Sequence, residues 1–334
     1  MNTLTTFVNS LPGNISQGLI WGILAIGVFI TYKILDFADL SVDGSIGTGG
    51  AVAVMLITNG VPVPVALLCS FVSGCLAGLA TGLMNTLLGI PGILAGILTQ
   101  LALYSINLDI MGQSNRPVSV DKYDLIVSQR YVMTQGNEIM GVVIQVLKIV
   151  AIVAFIIAVL YWFFGTEYGF TIRATGCNSN MARAQGINTK KSTVIALVLS
   201  NGLVGLAGGL LSQYQGFADV NMGRGAIVIG LAAVIIGDVL GTIIFRKHFN
   251  FVAKLAFTVV GSVIYFLVLQ LVMLTGLPSA NTKLFSAVIV MIFLAVPYLK
   301  KAAKTSFRRA GKNAEKVTIT TIDEKGATDN ADTH

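Results

Sequence analysis

Five carboxylates stand at or within apolar stretches and are the first candidates for chemistry. Asp36, Asp39 and Asp43 lead into one apolar run, Asp109 ends another, and Asp238 lies inside a third. Ionisable groups at such positions are costly and are functional candidates by default. Proton-coupled carriage needs a deep carboxylate with a charged partner; Asp238, with Arg246 two turns on, either titrates in this way or pairs structurally. Neutral polar residues are more numerous. Asn85, Thr99, Gln100, Tyr104, Ser105 and Asn107 punctuate two successive runs, and Gln213, Tyr214, Gln215, Asp219 and Asn221 cluster after another. Thr99, Gln100, Tyr104 and Asn107 recur near helical spacing, which predicts polarity gathered on one face. Such a stripe either lines a passage or hydrogen-bonds a neighbouring helix. Cys69, Cys75 and Cys177 make no CxxC, His248 and His334 are too far apart for a metal cluster, and GxxxxGK[ST] occurs nowhere. No metal site, disulfide framework or P-loop nucleotide hydrolysis is expected.

The elements that hold these residues must lie in a membrane. Of 334 residues 54% are hydrophobic and only 11% charged, with mean hydropathy +0.81. A soluble domain carries about 25% charge, so an ordinary soluble enzyme is excluded. Between Gly44 and Leu108 there is no Asp, Glu, Lys or Arg. The 36 glycines recur as GxxxG steps at Gly74/Gly78/Gly82, Gly18/Gly22, Gly92/Gly96, Gly205/Gly209 and Gly237/Gly241, which predicts close helix packing. The fold expected is an all-α polytopic membrane protein of nine spans, near 15–35, 46–60, 62–88, 91–111, 138–164, 191–213, 225–245, 254–276 and 283–299. Ser41 to Gly50 is too small and polar for a plain lipid-facing helix, so the second span is expected to be broken or re-entrant.

Lys and Arg placement sets the orientation. Segments 167–191 and 246–254 and the tail from Lys300 hold fifteen basic residues; the opposite loops hold five, Arg116, Lys122, Arg130, Arg224 and Lys283. The C-terminus is therefore expected in the cytoplasm and the N-terminus outside. Without Lys or Arg before Lys33, and with a long first span, no cleaved signal peptide is expected. The net charge of +7 is explained by this placement, so no nucleic-acid partner is expected. The domain reading is a permease domain over 1–300 and a basic-to-polar tail over 301–334, either disordered or drawn to anionic lipid.

Segment 167–190 is the most specific on the cytoplasmic side. Asn178 or Ser179 is a natural N-cap and Gly186 a natural stop, predicting a two-turn helix with Met181, Ala182, Ala184 and Gln185 between them. Lying between two spans, it suits either docking into another protein or a simple connection on the headgroups.

Tyr168-Gly169-Phe170-Thr171-Ile172-Arg173-Ala174, Ala184-Gln185-Gly186-Ile187-Asn188 and the small-residue run Leu199 to Gly209 resemble the permease subunits of bacterial ABC importers for branched-chain amino acids and ribose-type sugars. Asp39-Leu40-Ser41-Val42-Asp43-Gly44-Ser45 is similar to a stretch of the sugar branch, and the run Leu88 to Asn107 is similar to the less characterised branch for amino acids or other solutes. The resemblance covers roughly residues 15 to 300. It implies a type II-importer-like bundle in the bacterial inner membrane. Two permeases, a homodimer or this chain with a related one, would form the passage for an amino acid or similar small solute. ATP-binding cassette ATPase subunits holding ATP and Mg would dock beneath, and an extracytoplasmic solute-binding protein would deliver from above. The coupling residues so implied are Arg173, Gly176, Asn178, Ser179, Met181, Ala182, Arg183 and Gly186. Asp39, Ser41, Asp43, Ser45 and Thr48 would lie near the passage, joined by Asn85, Gln100, Tyr104 and Asn107 from the polar stripe. Arg116, Lys122 and Arg130 are candidates for binding-protein docking. No cofactor is expected in the chain, and the rival function is a stand-alone ion-coupled secondary transporter.

Overall fold

The computed structural model describes residues 3–119, 122–128, 138–245, 250–274, 284–293 and 295, without the side chains of 3–9, 138–140 and 142. The described chain is almost wholly helical. It runs α1 (Thr3–Phe29), a π-helical turn (Ile30–Ile34), α2 (Val42–Thr58), α3 (Val63–Thr86), α4 (Gly92–Met111), β1 (Asn115–Pro117), α5 (Glu138–Phe164), α6 (Glu167–Cys177), α7 (Ser179–Ala184), α8 (Thr189–Gln215), β2 (Phe217–Asp219), α9 (Ala226–Phe245) and α10 (Phe251–Met273). Contacts divide it into Met1–Ala287 and Val288–His334; the described residues of the second unit are helical.

Local chemistry sets many of the boundaries. Pro62 and Pro91 precede α3 and α4, where a missing N–H costs nothing. Gly112 (φ 68°) and Gly216 (φ 79°) stop α4 and α8 in the left-handed region that glycine enters freely. Among the described residues seven helices are long and apolar enough to cross a membrane: Ser10–Ile34, Val63–Thr86, Gly92–Met111, Val143–Phe164, Thr189–Gln215, Ala226–Phe245 and Phe251–Met273. Val42–Thr58 and Leu284–Phe293 are apolar but shorter. The 17 residues of α2 rise about 25 Å, less than the ~30 Å hydrocarbon core.

Irregular backbone, expected within Ser41–Gly50, lies ahead of it. The chain is helical from Val42, and the break occupies residues 35–41 after the π-helical turn. Asp36, at φ 57°, is the one described non-glycine residue in left-handed conformation. Helix α2 tolerates its glycines because its backbone is buried against other helices, where close approach replaces side-chain packing.

Helices α1 and α8 form the centre and are mostly buried, whereas α4 and α5 face outward and are mostly exposed. The glycines explain how α8 can be surrounded. A Cβ on Gly49 of α2 would strike the Gly205 backbone, and one on Gly208 would strike the Ile46 carbonyl. On the other side, Gly74 and Gly78 of α3 rest on the carbonyls of Asn201 and Leu197, and a Cβ on Gly205 would come within 2.5 Å of the Ser70 carbonyl. The steps at Gly18/Gly22 seat α1 on Val263 and Val259 of α10, and Gly237 seats α9 on Phe257 of the same helix.

At one end, β1 and β2 pair antiparallel, with Arg116 opposite Ala218. They cover an apolar cluster that includes Val54, Ile57, Met111, Val118, Leu125 and Val220. Residues 115–119 and 122–128 are therefore packed onto the bundle. The Tyr123 hydroxyl donates to the Thr58 carbonyl (3.0 Å), and the Ile126 amide donates to Gln213 Oε1 (3.3 Å).

Candidate functional site

Two groups of candidate residues occupy different parts of the structure, and the irregular segment 35–41 connects them. The first is a buried polar knot. Asp39, 1% exposed, accepts at Oδ1 from the Ser41 amide (2.9 Å) and the Ser41 hydroxyl (2.5 Å). At Oδ2 it accepts from Asn201 Nδ2 (2.7 Å), which also donates to the Leu197 carbonyl (3.1 Å). Asn201 Oδ1 in turn accepts from Ser45 (2.6 Å) and lies 3.1 Å from the Ser41 hydroxyl. No ion pair reaches Asp39 among the described residues, so neutral hydrogen bonds alone compensate its burial. Asn201 joins the site only in three dimensions. A mid-span Asn in an apolar helix is the one sequence signal that could have singled it out.

Asp43 has a different part. Its Oδ2 accepts from the Gly225 amide (3.0 Å) and Oδ1 from the Ile227 amide (2.9 Å), so it caps the N-terminus of α9 from across the bundle. The carboxylate satisfies amides that have no partner within α9 and meets the positive end of its dipole. Replacing Asp43 with Ala is expected to cost about 0.5–2 kcal/mol, the range for a lost N-cap. A lowered midpoint of thermal unfolding in detergent measures this, and Asp43→Asn should retain most of the stability.

The other path candidates are dispersed. Thr48 is buried and bonds back to the Gly44 carbonyl (3.1 Å). The polar stripe of α4 does not share one face: Thr99 meets Thr81 of α3 (2.8 Å), Gln100 and Asn107 lie against Gly44 and Gly47 of α2, and Tyr104 is exposed. Helices α3 and α2 take up its covered sides, and the rest of this outward-facing helix is exposed. Asn107 Oδ1 is buried without a hydrogen-bond partner among the described residues. Asn85 donates to the Ile90 carbonyl (2.8 Å), shaping the α3–α4 turn, and borders a groove of about 690 Å³ with Asp36, Gly176, Asn178 and Ser179.

The second group is the 167–190 segment. The predicted short helix is α7, and Asn178 Oδ1 accepts from the amides of Asn180 (3.1 Å) and Met181 (3.0 Å). Gly186, at φ 80°, turns the chain towards α8. Ala182 is buried against the bundle, whereas Ser179, Met181 and Arg183 are exposed, Met181 by 64%. Arg183 Nε donates to Thr189 Oγ1 (2.9 Å), bracing α7 on α8. Gly176 lies against the Ile34 carbonyl and the Leu35 backbone, where any side chain would collide with the π-helical turn. Arg173 is half-buried and stacks on aromatic rings.

Of the remaining candidates, Arg116 is half-buried in β1 and Lys122 is exposed above Tyr123 (5.4 Å). Arg130 lies outside the described residues, as do Arg246, Lys247 and the 301–334 tail. Asp238 pairs with Lys33 (3.0 Å), a partner far away in the sequence; both side chains are more than a third exposed, so the pair adds little stability.

Comparison with known proteins agrees with this architecture. Residues 12–297 match the family described as branched-chain amino acid transport system, permease component. The tyrosine transport system permease protein of Clostridioides difficile (strain R20291) is 39% identical over 289 residues, 86% of this chain and 92% of that protein. An uncharacterized protein of Rickettsia prowazekii (strain Madrid E) is 31% identical over 86% of this chain and 98% of its own length. The galactofuranose transporter permease protein YtfT of Escherichia coli (strain K12) is 27% identical over 82% and 75%. No solved structure matches the chain.

Proposed function

We propose, from the premise that the chain belongs to the family of branched-chain amino acid transport system permease components and is an ABC importer permease, that it carries an amino acid across the bacterial inner membrane. The similarity to a tyrosine transport permease makes tyrosine the first solute to test. In this reading the chain is not an enzyme. ATP and Mg are held by ATP-binding cassette subunits, an extracytoplasmic protein delivers the solute, and two permease copies enclose the passage. Nine crossings, with α2 and Leu284–Phe293 as the short ones, bring α6 and α7 to the cytoplasm and the β1–β2 ribbon to the outside with Arg116 and Lys122.

The observation that carries this reading is α7. A short helix capped at both ends, anchored through Ala182 and Arg183, and presenting Met181 to solvent is a rigid contact element between spans. Met181→Glu should weaken binding of the ATPase subunits roughly tenfold or more, as for an apolar interface anchor worth over ~1.4 kcal/mol. Vesicles holding this chain with its ATPase and binding protein should accumulate tyrosine only with ATP. Accumulation by the chain alone under a proton or sodium gradient would instead establish the secondary-transporter reading.

A further inference from the structure

Arg173 and Arg183, the two cations of α6 and α7, are placed differently. Arg183 is exposed on α7, whereas the Arg173 guanidinium carbon lies 4.4 Å from the ring centre of Phe251 and 5.4 Å from that of Phe164. Those rings are 5.1 Å apart and tilted by 59°, and Phe251 lies 6.4 Å from Phe29. Phe29 ends α1, Phe164 ends α5 and Phe251 begins α10, so one cation rests where three spans converge. Arg173 makes no ion pair among the described residues. A guanidinium suits such a place: it is planar, weakly hydrated and held by the ring quadrupole, whereas an ammonium keeps its water. Helix α6 is otherwise pressed to the bundle backbone to backbone, Gly169 on Phe164 and Gly176 on Ile34.

We infer that Arg173 is a positioning residue that does not meet the ATPase: stacked on Phe251 and Phe164, it ties α6 to α5 and α10, and through Phe251 to Phe29 of α1, so that a displacement of α7 reaches those spans. This rests on α7 being the ATPase contact. It separates the segment into a part that binds, α7, and a part that transmits, α6.

The test compares Arg173→Lys, Arg173→Met, Phe251→Leu, Phe251→Tyr and the Arg173→Met/Phe251→Leu double variant in the complete reconstituted complex. ATPase-subunit affinity and solute moved per ATP hydrolysed are both measured. Arg173→Lys, Arg173→Met and Phe251→Leu should keep the affinity while solute per ATP falls about three- to tenfold, the scale of a partly buried cation–π contact. The double variant should be no worse than the poorer single, because both remove one interaction. Phe251→Tyr keeps the aromatic face and should behave as the parent protein, and Arg173→Lys should fail to rescue although it keeps the charge. The inference is overturned if Arg173 variants lose ATPase affinity while Phe251→Leu loses nothing, if the singles add, or if no variant changes the ratio. Should the unmodified chain bind no ATPase, the reading of α7 fails instead. The same double-variant cycle on thermal unfolding then still tests the stacking.

Discussion

Asn201→Leu is expected to produce the largest loss of stability among single substitutions in the polar knot. The amide serves both carboxylate-side and hydroxyl-side partners: it donates to Asp39 and accepts from Ser45, with Ser41 close by. Leucine has similar bulk but no polar atoms. It would leave Asp39 Oδ2 and the Ser45 hydroxyl buried without their partners, at about 1–3 kcal/mol for each unsatisfied group and more for a carboxylate. A total of roughly 3–5 kcal/mol follows, comparable to breaking one side of a buried charged pair. The measurement is the midpoint of thermal unfolding of the purified protein, with Ser45→Ala as a milder reference because it removes a single donor. Unchanged stability in Asn201→Leu would mean that the knot does not hold α2 to α8, and that packing at Gly49, Gly205 and Gly208 does so alone.

The second large effect concerns transport. Gly176→Val is expected to lower ATP-driven solute uptake by at least about tenfold, with the protein still folded. A Cβ at Gly176 would meet the Ile34 carbonyl and come within 2.9 Å of Leu35 Cα, so the substitution must push α6 away from the π-helical turn. Overpacking of this kind costs about 1–3 kcal/mol, which a large helical bundle can absorb at its edge. The loss of contact falls where α6 meets the backbone leading through Leu35 to Asp39. ATP hydrolysis should persist and become insensitive to solute-loaded binding protein. Normal coupling in a folded Gly176→Val protein would exclude this contact from the transmission route.

Parts of the protein whose causes are local were legible in the sequence. The membrane class followed from hydropathy and charge, which depend on composition. The short helix α7 was placed correctly because Asn178 caps amides two and three residues on and Gly186 ends the turn, both within one short stretch. The GxxxG steps correctly marked close helix contacts, although their partners were not visible. Helical spacing predicts the polarity of α4 gathered on one face, and the structure divides it among α3, α2 and the exposed surface, because this helix packs against two neighbours on different sides. The break expected within Ser41–Gly50 moved to residues 35–41, since burial against α8 allows a glycine-rich backbone to stay helical.

What the sequence determined by itself is therefore that this chain is a membrane bundle with a short capped helix between two spans, and the motifs of its family. Only the tertiary structure decided what its charged and polar side chains do. Asp43 caps a helix 182 residues away, Asp39 meets Asn201 at a separation of 162, and Lys33 meets Asp238 at 205. The buried groups among these, Asp39 and Asn201, need partners because burial without one is expensive. The need can be read from a single residue, but which group answers it depends on how the helices pack around α8.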